Sequence, residues 1–375
     1  MIVGVLGAGQ LGQMLALAGR RFGIQFRFLA PDADSPAGKY AELIVAGYEN
    51  ELALAHFAEG LDVATYEFES IPASAVRFVA ERVPTYPPPI AIETAQDRQY
   101  EKECFERLKI PTAPFAAVDS MREVREALDK VGIPAVLKSR RLGYDGKGQA
   151  VIRSREEIGT GWVKVGEVQS IVESFVKFSR ELSIIAVRSL TGEMAFYPLI
   201  ENHHSEGILR FSLAPAPGVS QEIQHAAEDY ATRVLTDLGY VGVLAIEMFE
   251  TPDGLVANEM APRVHNTGHW TIEGADTSQF ENHLRAILGM RLGSTEMGGA
   301  AGMVNVIGRE PDLTRLHELS DVHIHMYGKA PAPRRKLMRW RQSGLWRPSA
   351  RRCSPRSQSL RFLPRVRHRG GEATR

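Results

Sequence analysis

Two cysteines in 375 residues, Cys104 and Cys353, allow neither a disulfide framework nor a cysteine-based zinc site. Such scarcity fits a reducing cytosol. No apolar run reaches the roughly 20 residues that a membrane-spanning helix needs. The chain enters a strand at once, without a basic segment leading into an apolar one, so no signal peptide is expected. Internal repeats are missing, as is the GxxxxGK[ST] phosphate loop. Net charge is zero as well, but only because two regions cancel. Residues 334–375 hold 14 Lys and Arg against one acid, while the remainder holds 31 basic and 44 acidic residues. An acidic body carries a basic tail, and the body is long enough for two or three domains with buried cores.

What is present is ordered as an α/β protein. Strand-like runs at 2–6, 24–29, 43–46 and 61–65 alternate with helical patterns ending near Phe22 and spanning 50–59 and 72–82. This βαβ order predicts a parallel sheet. Pro84 and Pro87-Pro88-Pro89 then mark a first boundary. Helices are predicted near 97–108, 120–131 and 220–238, and strands at 135–138, 149–152, 168–173 and 181–188. Gly7-x-Gly9-x-x-Gly12 follows a strand and opens a helix, as the dinucleotide fingerprint requires. No acid ends the second strand, however; Ala30-Pro31 do, with Asp32 just beyond. Two readings stand: a dinucleotide site, or a tight strand–helix turn facing some other ligand.

Two short acidic strands, 241–250 and 255–259, flank Thr251-Pro252-Asp253-Gly254. A three-residue loop Pro252-Asp253-Gly254 predicts Thr251 opposite Leu255 and therefore Glu247 opposite Glu259. Opposed carboxylates share a sheet face and repel unless a cation lies between them. Mg²⁺ suits that oxygen pair. A solvated acidic face is the plainer explanation of two acids alone. Asn258 and the run Ala261-Pro262-Arg263-Val264-His265-Asn266 shift the balance towards a site. Lys138 ends an apolar strand, and Gly143-Tyr144-Asp145-Gly146-Lys147-Gly148 follows. Its glycines let backbone N–H groups close over a phosphate, which the two lysines neutralise. The alternative is a hairpin loop with two solvated lysines. Glu173-Ser174-Phe175-Val176 closes a strand, whose end can serve an adenine edge, and Glu181 can accept from ribose hydroxyls.

These stretches, with Gly9-Gln10-Leu11-Gly12, Thr65-Tyr66-Glu67-Phe68-Glu69, Ala95-Gln96-Asp97-Arg98 and Thr267-Gly268-His269-Trp270, resemble the ATP-grasp superfamily. Within it they are most similar to the N5-carboxyaminoimidazole ribonucleotide synthetases, over roughly residues 1–336. The resemblance implies a Rossmann-like pre-ATP-grasp domain at 1–90 and an ATP-grasp domain at 91–295 with a small lid at about 110–175. A C-terminal domain at 296–336 would follow. It also implies carboxylation of 5-aminoimidazole ribonucleotide with ATP and bicarbonate, through carboxyphosphate, by a cytoplasmic homodimer in purine synthesis. ATP contacts would fall to Arg98, Lys138, Gly143, Tyr144, Asp145, Gly146, Lys147, Gly148, Gln149, Glu173, Ser174, Phe175, Val176, Glu181, His204, Asn258 and Glu259. Glu247 and Glu259 would bridge Mg²⁺, one ion or two, and Arg263, His265 and Asn266 would face bicarbonate as the catalytic group. Gln10, Tyr144, Asp145 and Arg263 would contact the ribonucleotide, with Lys329 and Arg335 on its 5′-phosphate. The rival assignments are another ATP-grasp ligase, such as a formate-dependent glycinamide ribonucleotide transformylase or a biotin carboxylase, and a non-catalytic nucleotide-binding protein.

The sequence departs from the family pattern twice. Ser70 stands where Asn is expected. After Arg335-Lys336 the expected closing strand and helix give way to Arg-, Ser- and Pro-rich sequence. From residue 337 a basic tail without regular structure is expected, from a shifted reading frame near Leu337. A nucleic-acid-binding arm is the rival reading of that tail, although nucleic acid is not the expected partner.

Overall fold

The alternating strands and helices of the first third close into a four-stranded parallel sheet. Its order is Glu42–Val45, Gln25–Ala30, Ile2–Leu6, Val63–Tyr66. The computed structural model describes residues 1–143, 147–308, 311–328 and 336–343, the last of these and residues 315 and 317 by backbone alone. Helices Gln10–Gly19, Glu51–Ala58 and Ala73–Ala80 pack on the sheet. At the turn into the first helix, Gly7 has φ +90°, and a Cβ there would stand 2.7 Å from Glu67 Oε1. The Glu67 carboxylate accepts from Gly9 N–H at 2.9 Å and Gly12 N–H at 3.3 Å. An acid of the same chain already satisfies the helix N-terminus. Of the two readings of this turn, the geometry favours the tight strand–helix turn, because a dinucleotide phosphate would meet Glu67.

A second, antiparallel sheet runs Phe115–Val118, Ser170–Ser174, Ala135–Ser139, Gln149–Ile152. Helices Met121–Val131 and Ile158–Lys164 enclose with it a small core that includes Leu128, Leu137, Ile152 and Trp162. The first helix is capped at its start by a pair of side-chain to backbone bonds. Glu123 N–H donates to Ser120 Oγ at 3.3 Å, and the Glu123 carboxylate accepts from Asp119 N–H at 2.8 Å.

The largest sheet is antiparallel and nine-stranded. Its strand Gly242–Thr251 is buried on both faces, because alternate residues enter different cores. Val243 and Ala245 meet Phe280 and Leu284 of helix Gln279–Ile287, while Leu244 and Ile246 meet Val234 and Leu235 of helix Gln221–Asp237. The hairpin to Gly254–Ala261 turns more tightly than expected. Thr251 pairs with Gly254, not Leu255, leaving Pro252 and Asp253 as a two-residue turn. Thr251 Oγ1 closes it, accepting from Asp253 N–H at 3.2 Å and donating to Gly254 O at 2.9 Å. That turn alone would set Glu247 opposite Asn258. A bulge at Asn258 takes up one residue and restores the pairing Glu247 with Glu259. The expected register at the acids is right, reached by two compensating local differences.

Strands Ala301–Ile307, Lys336–Ser343 and Val322–Met326 continue this sheet beyond Ile208–Ala214. The expectation of no regular structure from residue 337 therefore fails for 337–343. Met338-Arg339-Trp340-Arg341 alternates apolar and basic residues, which matches the period of a strand. The rest of the tail lies outside the described residues. No described helix is long and apolar enough to cross a membrane.

Candidate active site

The three sheets face a cleft of about 1530 Å³. Gln10 reaches it from the first turn, and Lys138, Gln149, Glu173, Ser174, Phe175 and Val176 from the small antiparallel sheet. Glu181, His204, Glu247, Asn258, Glu259, Arg263, His265 and Asn266 line it from the central sheet and the segment after it. Arg98, Gly143 and Lys147 complete that wall, and Gly148 lies one residue beyond. Of the expected site residues, Tyr144, Asp145, Gly146, Lys329 and Arg335 lie outside the described residues.

The acid pair lies at the floor. Burial, and then the charge of Glu259, pushes the Glu247 carboxyl up to about 7. Glu259 goes the other way: burial would raise it, but the Arg98 guanidinium and then Lys138 outweigh that and hold it low. Arg98 Nη1 donates to Glu259 Oε2 at 3.0 Å, and His265 Nε2 stands 3.7 Å from Glu247 Oε1. Two half-buried carboxylates that resist ionising together fit a divalent cation. No described group of three or more His, Cys, Asp or Glu is arranged to hold a metal. The pair would supply part of a Mg²⁺ shell, with phosphate oxygens and water for the remainder.

Above the floor, Glu173 lies between two lysines. Lys138 Nζ is 3.0 Å from one of its oxygens and Lys102 Nζ 3.4 Å from the other. Burial opposes its ionisation, but Lys138 first and Lys102 next hold its carboxyl down at about 2. Lys138 also donates to Asn258 Oδ1 at 3.4 Å. Farther along, His204 Nδ1 meets Glu181 Oε2 at 2.5 Å. Burial works against protonating His204; the bond to Glu181 and the charge of Glu247 raise it nonetheless.

The far end is built for an anion. Arg263 pairs with Glu69 at 2.7 Å through Nη2 and donates to Val264 O at 2.9 Å through Nη1. Its Nε is buried with no hydrogen-bond partner among the described residues. A buried orphan donor on a guanidinium suits a planar oxyanion. Gln279 clamps His265, accepting from its N–H at 2.9 Å and donating to its carbonyl at 2.6 Å. Nδ1 of His265 is 2.9 Å from Thr267 Oγ1, which turns Nε2 towards Glu247. Gln10 Nε2 donates to Asn266 Oδ1 at 3.3 Å, joining segments 256 residues apart.

Sequence reasoning assigned no role to Glu69, Glu101 or Lys102. Glu69 stands in a quoted stretch without a partner in view. Glu101 and Lys102 carried one overlooked signal: with Arg98 and Phe105 they fall on a single helix stripe, where charges are unusual.

Residues 1–96 match the ribonucleotide synthetase preATP-grasp domain, 103–280 the ATP-grasp domain and 301–337 the phosphoribosylaminoimidazole carboxylase C-terminal domain. The last match stops where the sequence begins to depart from the family pattern. An N5-carboxyaminoimidazole ribonucleotide synthase of Pseudomonas aeruginosa is 49% identical over 337 residues, covering 90% of this chain and 93% of that protein. The crystal structure of N5-carboxyaminoimidazole ribonucleotide synthetase from Thermus thermophilus superposes with a TM-score of 0.87 at 52% identity, covering 91% and 93% of the two chains. A synthase from Aspergillus clavatus, solved with ADP and 5-aminoimidazole ribonucleotide, superposes at 0.85 with 30% identity, covering 92% and 93%. With this cleft and these likenesses, the chain belongs to the N5-carboxyaminoimidazole ribonucleotide synthase family of ATP-dependent, ATP-grasp ligases.

Proposed function

We propose that this chain joins bicarbonate to the exocyclic amine of 5-aminoimidazole ribonucleotide, with ATP converted to ADP and phosphate. A bicarbonate oxygen attacks the γ-phosphorus and ADP leaves. The carboxyphosphate so formed breaks into CO₂ and phosphate, and the amine captures the CO₂ and loses a proton. One observation carries this reading. A single cleft unites a phosphate-neutralising end (Arg98, Lys138), an acid pair suited to a cation (Glu247, Glu259) and an oxyanion end (Arg263, His265, Asn266).

Roles follow from that arrangement. Lys138, Arg98, Lys147 and the N–H groups around Gly143 and Gly148 offset phosphate charge. Mg²⁺ held by Glu247 and Glu259 would supply charge neutralisation to the same oxygens. The Glu173 carboxylate is taken up by two lysines, so the adenine edge falls to the backbone of Ser174, Phe175 and Val176, and the ribose to Glu181 with His204. Arg263 presents its Nε to bicarbonate, while His265 and Asn266 orient it. Gln10 reaches the ribonucleotide, whose 5′-phosphate we assign to Lys329 and Arg335, with Tyr144 and Asp145 on the closing loop. Carboxyphosphate hydrolyses in water, so that loop serves to exclude solvent. We assign the chain to the cytoplasm, in keeping with the free thiol of buried Cys104. We also propose a homodimer, which light scattering checks.

The test is phosphate release in the presence of ATP, Mg²⁺, bicarbonate and 5-aminoimidazole ribonucleotide. Omission of any one of the four is expected to bring release to background. Stimulation by glycinamide ribonucleotide or biotin in place of the aminoimidazole compound would overturn the substrate assignment.

A further inference from the structure

Helix Arg98–Arg107 turns Arg98, Glu101, Lys102 and Phe105 to one side, at the spacing of a buried stripe. Three of the four are charged, and Glu101 and Lys102 are each only 1% exposed. Charges this deeply buried must be paired. Their partners lie on the strand that carries Glu259. Glu101 accepts from Met260 N–H at 2.6 Å, and Lys102 donates to the carbonyls of Asn258 at 2.9 Å and Ala257 at 3.4 Å. The helix therefore grips the bulged strand on both sides of Glu259. Lys102 reaches further still. Its Nζ donates to Thr112 Oγ1 at 2.9 Å and lies 3.4 Å from Glu173, the carboxylate that holds Lys138.

We propose that Lys102 is a positioning residue for the reaction. Resting on the function proposed above, it ties the Asn258 carbonyl to the Glu173 carboxylate and so holds the acid pair and the phosphate-facing Lys138 at one separation. The extra residue of a bulge stands outside the regular ladder, so something other than a neighbouring strand must fix it. An ammonium group with three donors does that here and meets a carboxylate at the same time. Being buried, Lys102 acts through these neighbours.

Lys102→Met keeps most of the length of the side chain and removes every donor. The full chain is assayed for phosphate release, and ADP affinity is measured by calorimetry with and without Mg²⁺. In a variant that still melts cooperatively, kcat is expected to fall at least about tenfold, with KM for the ribonucleotide within about twofold. The gain in ADP affinity that Mg²⁺ confers on the wild type is expected to shrink by about tenfold. Lys102→Arg, which keeps charge and donors, is expected to recover part of kcat. A folded Lys102→Met protein with wild-type kcat and wild-type Mg²⁺-dependent ADP affinity overturns the proposal. So does a parallel loss of affinity for all ligands that tracks the melting temperature, the mark of a merely structural residue. Should Lys102→Met fail to fold, Thr112→Val removes one partner of the ammonium and takes its place. It is expected to lower kcat with the ribonucleotide KM unchanged, and an unchanged kcat counts against the idea. Absence of ribonucleotide-dependent phosphate release in the wild type would defeat the proposed function instead, and the ADP titrations would still decide the role of Lys102.

Discussion

At the scale of the residue, one carboxylate joins a guanidinium to the opposed acid at the floor of the cleft. Glu259 pairs with Arg98, faces Glu247 across the hairpin and raises its pKa. Glu259→Gln keeps the shape and removes the charge, so the fold is expected to persist by circular dichroism. Phosphate release is expected to drop by a factor on the order of 100 or more, as when one preorganised transition-state contact is lost. Near-normal turnover in that variant would sink the metal assignment. Such a residue was legible beforehand because its chemistry is visible in its type and its neighbours. Lys102 was not, because its one local signal, a place on the helix stripe with Arg98 and Phe105, does not say what it pairs with. Its partners Asn258 and Glu173 lie far along the chain.

Among elements, the glycine-rich first turn shows how a local motif can be read correctly while what it faces stays open. The strand, the turn and the helix follow from spacing alone. What fills the helix N-terminus is Glu67, which lies beside the turn only once Val63–Tyr66 pairs in parallel with Ile2–Leu6. Gly7→Ala demands φ +90° of a residue with a Cβ and drives that carbon into Glu67. The strained backbone alone costs about 1–3 kcal/mol. The urea midpoint is expected to fall accordingly, and KM for the ribonucleotide to rise as Gln10 shifts; an unchanged midpoint would show that the turn relaxes freely. The hairpin teaches the complementary lesson. Its turn was misjudged by one residue because Thr251 closes a tighter loop, and the bulge that compensates depends on Lys102 and Arg98 packing from outside the strand. Strands Ile200–Ser205 and Ile208–Ala214 were not anticipated, since His203-His204-Ser205-Glu206 lacks the apolar alternation that marks a strand.

At the scale of the whole molecule, a buried histidine joins two of the sheets. His283 Nδ1 accepts from Val243 N–H at 3.1 Å, which leaves the proton on Nε2, 2.9 Å from Thr65 Oγ1. It thus connects the central sheet to the parallel sheet. Burial lowers its pKa from 6.5 to about 4. The unfolded chain binds the proton more readily, so this contribution is fully present above pH 6.5 and is lost as pH falls towards about 4. The loss amounts to roughly 3 kcal/mol at about 1.4 kcal/mol per unit. Urea midpoints measured across that range are expected to fall more steeply for the wild type than for His283→Gln; equal slopes would remove His283 from the acid response.

By itself the sequence determined the α/β order, the glycine turn, the opposed acids and the family. These are written in periodicity, in turn residues and in short runs of functional groups, each complete within a few positions. Only the tertiary structure decided which charges are buried and what holds them. Glu67 caps a helix, Glu173 is locked between lysines, Lys102 carries the bulge and His283 stays neutral. The physical reason is that desolvation and pairing set the behaviour of a charge, and both are supplied by segments that meet only when the sheets have assembled.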